Sequence, residues 1–190
     1  MKALKDRIIS DGVAIGTEIV KVDSFLNHQI DVALLSEIGQ EFARRFEGCG
    51  VSKILTVEAS GIAVACMASA HFGNIPVLFA KKTAPNTMTE EFYGAEVKSF
   101  TKGTSSIVRV SKKYLNQEDR VLILDDFLAH GEAAIGMADL VRQAGAKLVG
   151  VGAVIEKQFQ GGSKRLREMG YRVESLAVIE SIRDGKIIFL

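Results

Sequence analysis

Four stretches of this sequence are apolar almost residue after residue: Ile54–Val57, Val77–Ala80, Val121–Leu124 and Val149–Ile155. A strand with one wet face alternates apolar and polar side chains, whereas a strand covered on both faces has no need to. Parallel sheets flanked by helices supply that double cover. Helical patterns fill the intervals. After Asp31, a helix-capping residue type, Leu34, Ile38, Phe42 and Phe46 recur every four positions, and Gly48 ends the pattern. Residues 61–72 form a second helix, small and apolar all round. Residues 131–144 form a third, with Met137, Leu140, Val141 and Ala144 on one face and Gly145 as its stop. Strand and helix in alternation imply right-handed crossovers onto a central parallel sheet, an α/β fold.

At 190 residues the chain is sized for one domain, and its apolar fraction of 47% is that of a globule. The formal charge of +1 argues against a nucleic-acid backbone or an anionic membrane as the main partner, while leaving room for a local anion site. No apolar run reaches 18 residues and the N-terminus has no apolar signal core, so the expectation is a cytosolic protein with no membrane contact. Cys49 and Cys66 lack metal-site spacing and are expected to be reduced packing groups. Two regions leave the rhythm. Residues 81–96 carry no period and lead into Val97–Thr101 and Ile107–Ser111, which alternate around a hairpin turn at 102–105; residues 83–108 are therefore expected to form a lid. The first thirty and last twenty residues are expected to fold back as a small cap.

Ligands of open parallel sheets sit beyond the C-terminal ends of the strands. One apolar run ends in Asp125-Asp126, followed by Ala129-His130-Gly131-Glu132-Ala133 at the start of a helix. Adjacent carboxylates suit sugar hydroxyls, and free N–H groups at a helix start suit a phosphate. A pentose 5-phosphate offers both; a merely solvated acidic pair is the alternative. The nucleotide P-loop pattern is absent, and Gly150-Val151-Gly152 lies inside an apolar strand, unlike a dinucleotide fingerprint. At another exit, Ser60-Gly61 is either an anion loop or, far less fittingly, a nucleophile elbow without its flanking glycines. Lys81-Lys82 would suit a diphosphate. At the last exit Lys157 could address an exocyclic oxygen of a ring, with Phe159 against its face.

Together the apolar strand, the acidic pair, the small-residue loop and the helix resemble the type I phosphoribosyltransferases. The segments Lys21–Asp31, Asp125–Ala129, Val154–Lys157 and Gly170–Ala177 are similar to the bacterial purine branch whose members act on xanthine. The resemblance implies that fold over the single domain 1–190, with a hood from about 1–30 and 156–190. It implies transfer of a phosphoribosyl group from 5-phosphoribosyl 1-diphosphate (PRPP), with Mg²⁺ on the diphosphate and no metal site of the protein's own, and a homodimer in cytosolic purine salvage. It assigns Asp125 and Asp126 to catalysis, residues 129–133 (Ala129, His130, Gly131, Glu132 and Ala133) to PRPP, and Val20, Asn27 and Lys157 to the purine. Guanine or hypoxanthine as the base, or a non-catalytic PRPP sensor, are the alternatives. The loop departs from its relatives. Ala129 and Ala133 stand where many members have Thr or Ser, so backbone N–H groups must hold more of the phosphate. His130 and Glu132 replace the Asn and Gln usual in the branch, and Glu132 brings a negative charge.

Overall fold

The structure, a computed structural model, describes residues 1–82, 91–99 and 104–190. Its elements run α1 (Lys2–Asp11), β1 (Val13–Ile15), β2 (Ile19–Lys21), a π-helical turn (Asp23–Asn27), α2 (Val32–Arg45), β3 (Lys53–Val57), α3 (Gly61–His71), β4 (Val77–Ala80), β5 (Phe92–Ser99), β6 (Thr104–Ser111), β7 (Arg120–Leu128), α4 (Glu132–Gln143), β8 (Lys147–Lys157), α5 (Gly162–Glu168), β9 (Val173–Arg183) and β10 (Lys186–Phe189). Six strands form the central sheet in the order β10-β9-β8-β7-β3-β4. All neighbours are parallel except the β9–β10 edge pair.

The four apolar runs are strands, each inside β3, β4, β7 or β8. Their double burial is direct. Leu122 and Leu124 of β7 enter one apolar core with α1, α2 and α3, while Val121 and Ile123 enter a second core with α4. Asp31 caps α2 as its residue type suggests, its carboxylate accepting from Leu34 N at 3.1 Å. Gly150 and Gly152 have a packing role. A Cβ at either would stand 2.7 Å from a ring carbon, of Phe46 and Phe42 respectively, so their bareness lets α2 lie close on β8. The helix over 61–72 is not buried all round: Cys66 is exposed, while Cys49 is partly buried against the first core, and both thiols are free.

Three expectations need correction. The acidic pair does not follow its strand but lies within it, because β7 continues to pair with β8 as far as Leu128. The hairpin strands are longer than the alternation suggested, Phe92–Ser99 against Thr104–Ser111. Their buried Ala95, Val97, Val108 and Val110 belong to the α4 core, so the described part of the hairpin is packed rather than loose. Lys81 and Arg109 tie it to the end of β4 through two backbone hydrogen bonds of 2.9 Å. Residues 83–90 and 100–103 of the expected lid, with the first half of its turn, lie outside the described residues. Lastly, the C-terminal strands extend the main sheet, because β9 pairs along β8 from Val173 to Ile179. The chain ends still meet, as expected: the Met1 amino group donates to Leu176 O, and Lys5 Nζ to Leu190 O. Among the described residues no helix is long and apolar enough to cross a membrane.

Candidate active site

Strand order reverses between β3 and β7: β3 is followed outward by β4, and the chain then returns to the other side of β3. Such a switch point opens a crevice at the C-terminal strand ends. A cavity of about 810 Å³ lies there, walled by Val57 of β3, Asp125 and Phe127 of β7, residues 129–133, and Lys157 of β8. Lys82 after β4, Lys98 and Ser106 of the hairpin, Glu18 of the β1–β2 connection and Ile19 at the start of β2 complete its rim.

The loop between β7 and α4 has the geometry of an anion site. Gly131 takes φ = +85°, a left-handed conformation that favours glycine, and serves as N-cap of α4. No side chain caps the helix, so its first N–H groups are open to a ligand. The two unusual loop residues are anchored from behind. His130 Nδ1 is 3.1 Å from Gln160 O, and Arg165 Nη1 pairs with Glu132 at 2.5 Å. Gly162 N donates to Ala129 O at 3.0 Å.

Asp125 and Asp126 point to different surroundings. Asp125 walls the cavity, and its Oδ1 accepts from the N–H of Asp126 at 3.0 Å. Burial first, and the neighbouring Asp126 carboxylate second, push its pKa well above the usual carboxylate range, while Lys82 opposes the shift. Asp126 is buried and accepts from Asn27 Nδ2 at 3.4 Å. Asn27 is thereby joined to the acidic pair but is not part of the cavity wall. Val20 is turned into the apolar core, and its neighbour Ile19 faces the cavity instead, as strand alternation requires. Lys157 is in the wall. Its ammonium donates to Glu18 O at 2.8 Å and stands 5.4 Å from the centre of the Phe127 ring, and desolvation lowers its pKa. The ring beside Lys157 is therefore Phe127, not Phe159, which sits 40% exposed on the turn beyond.

The diphosphate candidates separate as well. Lys82 reaches the cavity, whereas the ammonium of Lys81 lies over Phe79. Glu58 accepts from Lys82 N at 2.5 Å and so links the β3 exit to the β4 exit. Ser60 and Gly61 open α3 next to Asp125 without entering the cavity wall. A Cβ on Gly61 would stand 2.1 Å from the buried Thr56 Oγ1 and 2.9 Å from Asp125 Oδ1. Gly61→Ala is accordingly expected to destabilise the fold by about 1–3 kcal/mol, the usual cost of overpacking, and to displace Asp125. Urea unfolding checks the first effect. Phe127, Ile19 and Glu18 are among the wall residues not anticipated from sequence. Phe127 was within reach, since strand neighbours two apart share a face and Asp125 was already singled out.

The chain is 58% identical to a xanthine phosphoribosyltransferase of Clostridium novyi over 189 residues, covering 100% of this chain and 99% of the relative. Proteins of the same description in Ruminiclostridium cellulolyticum and Clostridioides difficile match at 55% and 54%, again over 100% of this chain and 99% and 100% of theirs. No family model matches the chain. Among solved structures, an adenine phosphoribosyltransferase from Rhodothermus marinus superposes with a TM-score of 0.73 at 20% identity, over 94% of this chain and 99% of that one. Another, from Thermoanaerobacter pseudethanolicus, does so with a TM-score of 0.68 at 24% identity, over 78% and 81%. At such identities these two show the fold.

Proposed function

The chain belongs to the xanthine phosphoribosyltransferase family, and from that premise we propose that the switch-point cavity transfers the 5-phosphoribosyl group of PRPP to xanthine, giving xanthosine 5′-monophosphate and diphosphate. The observation that carries this reading is the meeting, around one cavity, of an acidic residue, an uncapped helix start and a lysine beside an aromatic ring. In the reaction the bond from the anomeric carbon to the diphosphate oxygen breaks. A xanthine ring nitrogen bonds to that carbon and gives up its proton. The sugar gains positive charge as the diphosphate leaves, so positioning and charge stabilisation are the main tasks of the protein.

Residues 129–133 hold the 5-phosphate on backbone N–H groups. Asp125 in the wall and Asp126 behind it take the ribose hydroxyls, and the developing cation favours the ionised form of Asp125 that burial opposes in the ligand-free protein. Lys82 faces the departing diphosphate, with Ser60-Gly61 bordering its path. Mg²⁺ would be carried by the diphosphate of PRPP, with Asp125 in the cavity wall as the protein oxygen group beside it. Mg²⁺ entering on PRPP would neutralise the diphosphate as it departs. Lys157 donates to the C6 oxygen of xanthine, leaving Glu18 O, and Phe127 lies against the ring. In the hood, Asn27 offers its amide nitrogen to the C2 oxygen, and Val20 supports the hairpin that covers the base. Residues 83–108 serve as the lid that covers the reaction against water, since hydrolysis of PRPP is the competing path. Exposed Ile9, Val13, Ile15 and Val32 support the homodimer, and the reading places the enzyme in cytosolic purine salvage.

Diphosphate release is the test. It is expected to need PRPP, Mg²⁺ and a free base together. Tight PRPP binding without base-dependent release would show a sensor instead. Lys157→Met is expected to lower turnover of every oxopurine about tenfold or more, because a donor to a buried oxygen is lost. Steady-state rates with xanthine and hypoxanthine check this.

A further inference from the structure

Glu132 is the first residue of α4 and part of the cavity wall. In the empty site an acid there is favoured by the helix dipole. Once a phosphate occupies the same N–H groups, the acid becomes a like charge within one helical turn of it. Arg165 of α5 answers that charge while standing outside the cavity wall. Its Nη1 donates both to Glu132 Oε1, at 2.5 Å, and to His130 O, at 2.8 Å. The second bond also orients the loop. In a planar trans peptide, a carbonyl drawn toward Arg165 turns the N–H of Gly131 away from it.

α5 is itself fixed. Buried Glu156 of β8 accepts from Ser163 Oγ and, at 2.6 Å, from Ser175 Oγ. Gly162 lies so close beneath the loop that a Cβ there would stand 2.4 Å from Ala129 O. The arginine is thus presented to the loop by a packed support rather than by a free surface stem.

We propose that Arg165 is a positioning residue for the ribose 5-phosphate: by cancelling the charge of Glu132 and holding the His130 carbonyl, it lets a loop with an acidic residue bind a phosphate. This rests on the reading of residues 129–133 as the 5-phosphate site. The pair is chemically self-consistent, since the acid in the loop comes with its own counter-charge from another element. As a partly exposed pair its effect is screened by salt.

The experiment measures PRPP KM, kcat, and the dissociation constants of ribose 5-phosphate and inorganic diphosphate. The proteins are the wild type, Arg165→Met, Glu132→Gln and the double variant. Arg165→Met is expected to raise PRPP KM and the ribose 5-phosphate dissociation constant at least tenfold. Its kcat should stay within about twofold, and diphosphate binding should not change. Adding Glu132→Gln should lower PRPP KM at least threefold from the Arg165→Met value without fully restoring wild type, because the His130 contact stays lost; loss of a structural clamp alone would show no such rescue. Glu132→Gln alone should lower PRPP KM at least twofold. Equal impairment of Arg165→Met and the double variant, or an unchanged PRPP KM in Arg165→Met, overturns the proposal. Should Arg165→Met not fold, Glu132→Gln decides alone, and an unchanged or raised PRPP KM in it overturns the proposal. Gly131→Pro serves as control. If PRPP KM is unaffected there, the phosphate-loop reading fails; if it rises while the four proteins do not differ, only the role of Arg165 fails.

Discussion

Changing both Asp125 and Asp126 to Asn is expected to lower kcat/KM for PRPP by roughly ten- to a hundredfold per residue, the effect of losing charged hydrogen bonds worth about 1.5–3 kcal/mol each. Folding should respond in the opposite sense at Asp125. Burial and the adjacent carboxylate raise its pKa, so its ionised form is disfavoured in the folded protein. A folded-state pKa above the unfolded one means stability that is full at low pH. It is lost as pH rises from the ordinary carboxylate range through the raised value. Asparagine carries no charge to be desolvated and can still accept from the N–H of Asp126. Asp125→Asn alone should therefore raise the melting temperature of the ligand-free protein at neutral pH and flatten its decline with pH. Kinetics with thermal melts across pH check both halves. A pair that was only structural would show the reverse, with lower stability and retained turnover.

The second large effect is at Gly131. Proline there fails on two counts: its ring fixes φ near −65° where the loop needs +85°, and it removes an N–H from the phosphate cradle. PRPP KM is expected to rise by two orders of magnitude or more. Gly131→Ala keeps the N–H but carries the left-handed strain, about 1–2 kcal/mol, with its Cβ 3.2 Å from Gly162 Cα, and should fall between. His130→Asn should be mild, because the loop N–H groups are unchanged. Steady-state kinetics on the three variants order them. An unchanged PRPP KM in the proline protein would remove residues 129–133 from the phosphate site.

The sheet was legible because double burial leaves a mark that does not depend on partners, namely runs such as Val121–Leu124 without polar alternation. That Asp125 and the loop after it lie at one crevice was legible for a related reason: charge and small residues directly after such a run have few structural uses. Strand ends were not. That β7 passes through Asp125-Asp126 to Leu128 depends on its ladder with β8, and such pairing partners lie some 28 residues away in the chain. The same limit hid the place of β9, whose half-polar sequence reads as an outer element until β8 is beside it. In the site, Lys157 was legible as a charge at a strand exit, but its partner ring was not. Phe159 is nearer in sequence, and only the fold brings Phe127 under the ammonium. Arg165 gave no signal at all, since one arginine in a charged helix reads as solvated surface until the Glu132 carboxylate is set against it.

Base recognition is the sharpest consequence of the account. Xanthine presents oxygens at C2 and C6, and the proposed reading meets them with donors, Lys157 from the cavity wall, which has three and no acceptor, and the amide nitrogen of Asn27 turned from Asp126. Guanine has an amino group at C2 that needs an acceptor, hypoxanthine has nothing there, and adenine lacks the C6 oxygen. A site built to hydrogen-bond a group can reject analogues lacking it by as much as ~10⁴, far beyond what an apolar pocket achieves. The direct measurement is competition kinetics: wild-type protein with PRPP and Mg²⁺, and xanthine, guanine, hypoxanthine and adenine present together. The account predicts xanthosine 5′-monophosphate as the dominant product, with xanthine leading in kcat/KM and adenine essentially unused. Preferential consumption of guanine or hypoxanthine would contradict it.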